Sequence, residues 1–247
     1  MRHTLLLIIC LLIEIGHTHA QVGEHRSDLA IGVNAGYVLS RVGFTPSVSQ
    51  KFHGGVTAGL TFRYVCEKYF KTICSIVAEC NYAAIGWNED ILDLYEQPVI
   101  NTITGKAETY KRNLNYLQIP IFAHLAWGKE QRGWQFFAQA GPQFGLLLSE
   151  NTSTNFDLST VNIEQRSNKT IAQDSIKVQN SFDYGIAAGI GAEYSLPKIG
   201  HLQIEARYYF GLGNIFKDSK NDYFGKSNFG NIVFKLAWLF DLKKRRD

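Results

Sequence analysis

Apolar and polar positions alternate with a period of two along eight stretches of this chain. The clearest case runs from Tyr116 to Leu148. Leu117, Ile119, Ile121, Ala123, Leu125 and Trp127 share one face. Trp134, Phe136, Ala138, Ala140, Phe144, Leu146 and Leu148 share one face of the next run. The polar segment Gly128–Gly133 lies between them, so the pair reads as a β-hairpin. The opposite face carries Gln118, His124, Gln135, Gln139, Gly141, Gln143 and Gly145.

The same alternation predicts strands over Leu29–Leu39, Gly54–Cys66 and Thr72–Gly86, and then the hairpin, whose first strand starts near Tyr110. Beyond it, strands are predicted over Phe182–Tyr194, His201–Gly213 and Asn228–Leu242. No amphipathic helix of useful length is visible. The connections after the second, fourth and sixth strands are short (Glu67–Lys71, Gly128–Gly133, Ser195–Gly200). Those after the first, third, fifth and seventh are long and polar (Ser40–His53, Trp87–Glu108, Ser149–Ser181, Asn214–Ser227). Short turns at one end and long loops at the other are the pattern of outer-membrane barrels.

Volume decides which face points inward. The interior of an eight-stranded barrel is just wide enough for side chains to fill. The apolar face holds too many Tyr, Phe, Leu, Ile and Trp side chains for that space, whereas the glycine-rich polar face fits. An apolar exterior in water would be a patch far beyond a few hundred Å², and lipid removes that difficulty. The expected fold is therefore all-β: an eight-stranded antiparallel up-and-down transmembrane β-barrel with short periplasmic turns, long extracellular loops and both termini in the periplasm. Trp127, Trp134, Trp238 and Phe240 suit an interfacial aromatic girdle. The competing architecture is a soluble β-sandwich. Pro120 falls in mid-strand and cannot donate to a ladder, which predicts a local bulge there, opposite Gly141-Pro142.

Residues 1–20 have a positive start, an apolar run from Leu5 to Ile15 and small residues near Ala20. They read as a secretory signal peptide cleaved between Ala20 and Gln21. The run is too short for a spanning helix. The expected organisation is a lead-in over 21–28, the barrel over 29–242 and a basic tail over 243–247. A net charge of +3 with no basic stripe gives no reason to expect nucleic acid. Cys66, Cys74 and Cys80 remain after cleavage; Cys66 and Cys74 flank a turn with matched parity and are a candidate disulfide, although spacing alone does not establish the geometry. No His lies at zinc-site spacing from them.

The inward face carries Arg63, Glu79, His124, Asp183, Glu193, Glu205, Arg207 and Lys235. Buried charges of mixed sign must pair, so these residues are expected to form a structural polar network that plugs the lumen. A proton or small-ion path is the competing use. For a hydrolase, His124 and Glu79 are the base and acid candidates, but no Gly-x-Ser-x-Gly elbow accompanies them. Asn151-Thr152-Ser153 and Asn168-Lys169-Thr170 match the glycosylation pattern by chance. The long Ser149–Ser181 loop suits an interaction role.

The chain resembles the PorT-like outer membrane protein beta-barrel domain family. The resemblance rests on Tyr116-Leu117-Gln118-Ile119-Pro120, Ala140-Gly141-Pro142, Phe182-Asp183-Tyr184-Gly185 with Gly189 and Gly191, and Ala206-Arg207-Tyr208-Tyr209 followed by Gly211-Leu212. It implies an eight-stranded outer-membrane barrel in a family linked in part to protein secretion, with no catalytic motif and no cofactor. The partners it implies are the outer-membrane bilayer, the barrel-assembly machinery during biogenesis and an envelope or secretion partner. The aromatic final strand loosely resembles the C-terminal signal such machinery reads, although seven residues follow Phe240. A structural or interaction role is the leading expectation, with a narrow channel or small-solute porin second and an outer-membrane hydrolase third.

Overall fold

The computed structural model describes residues 24–101, 103–130, 132–197 and 199–243. The signal-peptide reading, with its Ala20/Gln21 cleavage, falls outside these residues, as does the end of the basic tail. Eight long strands form the fold: β1 (Glu24–Thr45), β2 (His53–Tyr69), β3 (Thr72–Glu89), β4 (Tyr110–Gly128), β5 (Gly133–Thr154), β6 (Phe182–Leu196), β7 (Gly200–Gly211) and β8 (Lys226–Lys243). Each pairs antiparallel with its sequence neighbours, and β1 also pairs with β8, so the sheet closes on itself. Closure leaves no long unpaired edge. A two-residue strand, Gln50–Lys51, extends the ring beside Asn88 and Glu89.

The parity is that of an inside-out barrel. Val33, Val56, Phe136, Ile190, Ile204 and Phe234 lie exposed on the outer wall, while Asn34, Thr57, Gln135, Glu193, Glu205 and Lys235 are buried inside. The apolar belt does not reach the long-loop ends of the strands, where the alternation inverts. In β4 the outward residues are Lys111, Asn113 and Asn115 before they become Leu117, Ile119 and Ile121. The inward ones are Arg112, Leu114 and Tyr116 before they become Gln118, Phe122 and His124. β1 and β3 behave alike, with Val38, Val42, Phe44, Ile85 and Trp87 turned inward. Above the belt the outer wall meets water and the inner wall meets folded loops, so apolar residues change sides.

Three short elements lie in the longest loop: 3₁₀ turns at Leu158–Thr160 and Ile163–Gln165, and a one-turn helix, α1, at Ala172–Ser175. Asp157 and Asn162 cap the two turns by accepting from Ser159 N and Glu164 N. This loop and residues 212–225 fold over the mouth. Phe44, Trp87, Phe216 and Phe224 close it as one aromatic cluster, with ring centroids 4.9 Å apart for Phe44–Phe224 and 5.4 Å for Phe216–Phe224.

Several expectations change. The strands are longer than the alternation suggested, so β1 already runs at Glu24 inside the supposed lead-in, β8 takes in Lys243, and the first long loop shrinks to residues 46–52. Pro120 makes no bulge: the β4–β5 register is unchanged from Pro120–Gln143 to Ala123–Ala140. The ladder instead omits the Ile121–Pro142 and Phe122–Gly141 positions between them, where Pro142 has no N–H to give. The bulge lies higher, at Asn115/Tyr116. The Cys66–Cys74 disulfide is not formed, and Cys66, Cys74 and Cys80 are free. Cys66 sits at a bulge that places Glu67, not Cys66, opposite Cys74. Asn168 is buried and bonded to Glu89, so its sequon is not offered at the surface.

Candidate functional site

The lumen is the natural place to look for chemistry, because most charged groups there are inaccessible. The structure divides the eight expected residues among three clusters. At mid-barrel Glu79, Glu205, Arg207 and Lys235 form a tetrad. Arg207 donates from Nη1 and Nη2 to Glu79 at 3.0 and 2.9 Å, and from Nε and Nη2 to Glu205 at 2.7 and 3.0 Å. Lys235 bridges Glu79 and Glu205, 2.9 Å from the latter. Phe122 lies under the Arg207 guanidinium, 4.4 Å from ring centroid to Cζ. Gln139 completes Glu205 at 2.6 Å and Asn81 completes Glu79 at 2.7 Å. Two carboxylates meet two cations, so the formal charge cancels.

Backbone geometry explains why these residues meet. Glu205 on β7 stands directly opposite Lys235 on β8, the cross-strand position at which opposite charges attract. The neighbouring wall is stripped of side chains. A Cβ at Gly189 would lie 2.8 Å from Glu205 Oε1, and one at Gly191 would lie 2.4 Å from the Phe137 ring. Glycine there leaves the room that the charged side chains fill.

Toward the short-turn end, Arg63 and Glu193 pair at 2.5 Å, and Gln203 donates to Glu193 at 2.6 Å. His201 joins them: Nδ1 lies 2.7 Å from Glu193 Oε1 and 2.9 Å from Ser195 Oγ, while Nε2 lies 3.1 Å from both oxygens of Asp241. Ser195, His201 and Asp241 thus form a serine–histidine–aspartate series. Its arrangement does not suit nucleophilic catalysis, because carboxylates face both ring nitrogens and engage them as donors. No nitrogen is left to take the hydroxyl proton, and Ser195 is fully enclosed.

His124 is buried beside this cluster, its ring 4.8 Å from that of Phe137. Neither nitrogen has a protein partner. A cavity of about 50 Å³ borders it, roomy enough for the water a buried imidazole needs. Glu79 is held in the tetrad, so the suggested acid–base pair is not assembled. The third cluster is Asp183, which accepts from Tyr209 Oη at 2.6 Å below the aromatic seal. Among the described residues, no group of three His, Cys, Asp or Glu side chains is placed to hold a metal ion. The larger hollows, about 850 and 730 Å³, lie on the apolar outer wall.

A further polar group at the mouth was not anticipated from the sequence. Glu89, Arg112, Arg166, Asn168, Gln173 and Asp174 are all buried where the longest loop meets the barrel rim. Asn168 Nδ2 and Gln173 Nε2 donate to Glu89 Oε1 at 2.9 and 3.1 Å. Burial first, and the adjacent Glu89 carboxylate second, push the Asp174 carboxyl up to about 9, against the pull of Arg166 and Arg112. Glu89, Arg166 and Asp174 were signalled only by charge in an apparent loop, and Arg112 only by its place at the start of a predicted strand. His201, Gln203 and Asp241 were likewise missed, although their parity on predicted strands was a usable signal, and Ser195 falls in what reads as a short turn.

The family described as outer membrane protein beta-barrel domain matches residues 19–217. No curated protein matches the chain. Among solved structures, the chain is similar to OprG of Pseudomonas aeruginosa (11% identity, 88% of this chain and 98% of that one, TM-score 0.42). It is also similar to Ail, the attachment invasion locus protein of Yersinia pestis (11%, 85% and 98%, TM-score 0.37), and to Neisserial surface protein A (11%, 86% and 97%, TM-score 0.37).

Proposed function

Because this chain belongs to the outer membrane protein beta-barrel domain family, and so resides in the bacterial outer membrane, we propose that it is a sealed barrel that works through its long loops. In this reading it is a structural or docking component of an envelope or secretion assembly, of the PorT-like kind. Its short turns and both termini face the periplasm, and its long loops face outward. The observation that carries the proposal is a lumen filled along its length: the Arg63–Glu193 cluster at one end, the tetrad at the centre and the Phe44/Trp87/Phe216/Phe224 seal at the mouth. A barrel of this strand number has no room for both these side chains and a pore.

The loops supply a contact surface. Residues 91–101 and 103–107 make two successive turns, closed by bridges at Leu92–Pro98 and Ile100–Ala107. Asp93 Oδ1 accepts from Tyr95 N and Gln97 N, and Asn101 Oδ1 accepts from Ile103 N and Thr104 N. These turns hold Tyr95 and Ile103 out at 84% and 90% exposure. Rigidly presented apolar side chains are what a partner pocket recognises.

Planar-bilayer recording tests the seal, with a closed baseline expected; resolved conductance steps would overturn it in favour of a narrow channel. A mild-detergent pull-down tests docking. A partner retained by the native chain and lost when Tyr95 and Ile103 are both changed to Ser supports the reading. Retention by that variant contradicts the part of these turns in it.

A further inference from the structure

Residues 155–181 do not merely lie across the mouth; two buried acids, Glu89 and Asp174, sit where they meet the rim. Asp174 on α1 and Glu89 at the end of β3 bury their carboxyls at the same point of the rim, where Gln173, next to Asp174 in the chain, donates to Glu89 Oε1 at 3.1 Å. Glu89 Oε2 and both Asp174 oxygens are buried without a hydrogen-bond donor. Two ionised carboxylates cannot be enclosed in this way without repulsion, whereas a carboxylic acid beside a carboxylate can share one proton.

We propose that a proton shared between Glu89 and Asp174 latches residues 155–181 into the barrel mouth, so that acid holds the segment down and rising pH releases it. The other charged and titratable groups facing the pair come from every element packed there. Arg112 on β4 donates from Nη1 to Ile176 O at 2.7 Å and from Nη2 to Asp174 O at 3.2 Å, and it also meets Glu150 of β5 at 3.3 Å. Tyr110 Oη donates to Asp174 O at 3.2 Å. Arg166, in the loop itself, pairs with Glu108. Four carboxyls (Glu89, Glu108, Glu150, Asp174) thus face two guanidiniums, an excess of negative charge that a bound proton lowers.

The sign follows from linkage. The Asp174 carboxyl is pushed up to about 9 when docked, and a released Asp titrates near 4. Between those limits the docked state holds a proton that the released state lacks, so each pH unit favours release by up to tenfold. Asp174→Asn removes the titration while keeping the shape, and its amide can donate to Glu89 Oε2.

The test is proteinase K nicking within residues 155–181 of the full barrel in lipid nanodiscs at pH 5 to 8. It is scored as the ratio of native to Asp174→Asn cleavage rates, so that the protease's own pH dependence cancels. The ratio is expected to climb steeply with pH, by up to tenfold per unit. A flat ratio overturns the latch, and so does a ratio set by added calcium rather than by pH. If Asp174→Asn does not fold, Glu89→Gln takes its place in the same ratio. The inference rests on the sealed-mouth reading, and the two fail separately: conductance at pH 7 defeats the seal, whereas a flat ratio in a silent barrel defeats only the latch.

Discussion

Replacing Arg207 with Met removes the cation that ties the mid-barrel tetrad together. Arg207 makes four charge-assisted hydrogen bonds, two to each of Glu79 and Glu205. Those carboxylates are only 2% and 4% exposed. After the change, Lys235 alone faces both, and the site carries one uncompensated negative charge. Four such bonds at about 1.5–3 kcal/mol each would suggest a larger loss than is expected, because Lys235, Gln139 and Asn81 stay bonded to the same oxygens. Removing one partner of a buried ion pair costs about 3–5 kcal/mol, and this is the magnitude expected for Arg207→Met. Neutralising Glu205 as well, in Arg207→Met/Glu205→Gln, restores balance between Glu79 and Lys235 and should recover part of the loss. Urea titration of the barrel in lipid vesicles, read from the folded band on unheated gels, measures both. A loss below about 1 kcal/mol for the single variant, with no recovery in the double, would mean that the tetrad is hydrated and the lumen open.

Ile190 is 68% exposed on the outer wall of β6, so Ile190→Arg should cost about 2–4 kcal/mol if it lies at the bilayer midplane; a neutral result in the same titration would argue against lipid contact there. His124→Phe should change stability by less than about 1 kcal/mol, because the nitrogens it removes satisfy no protein group, and a loss above about 2 kcal/mol would show a bond the structure does not contain. Intact mass after alkylation without reductant should reveal three blocked thiols at Cys66, Cys74 and Cys80, whereas one blocked thiol would restore the Cys66–Cys74 bridge.

The fold was legible because each strand repeats one physical rule. From Val33 to Tyr37 and from Leu202 to Phe210, every second residue is apolar and lies on the outer wall. That rule reports the belt and nothing above it. Trp87 reads as part of a loop because the residues around it break the pattern, yet it is an inward residue of β3 at the centre of the mouth seal. The lumen charges were legible as a set, since parity alone sends Glu79, Glu205, Arg207 and Lys235 inward. Their partition into separate clusters was not, because it depends on the stagger of strands around the ring: Glu79 and Arg207 meet across the lumen from β3 and β7. The Glu89–Asp174 pair joins a strand end to a one-turn helix in an irregular loop, where no period exists to read.

The account stands on which face of the sheet meets lipid. Oxygen accessibility of nitroxide labels, placed singly at residues 202–210 of β7 in a variant with Cys66, Cys74 and Cys80 changed to Ser, measures this directly in a bilayer. The account predicts a two-residue period, with labels at Leu202, Ile204, Ala206, Tyr208 and Phe210 exposed to lipid-dissolved oxygen and those at Gln203, Glu205, Arg207 and Tyr209 shielded. Shielding of the even positions, or no period at all, would put the apolar face in a soluble core and contradict the inside-out barrel.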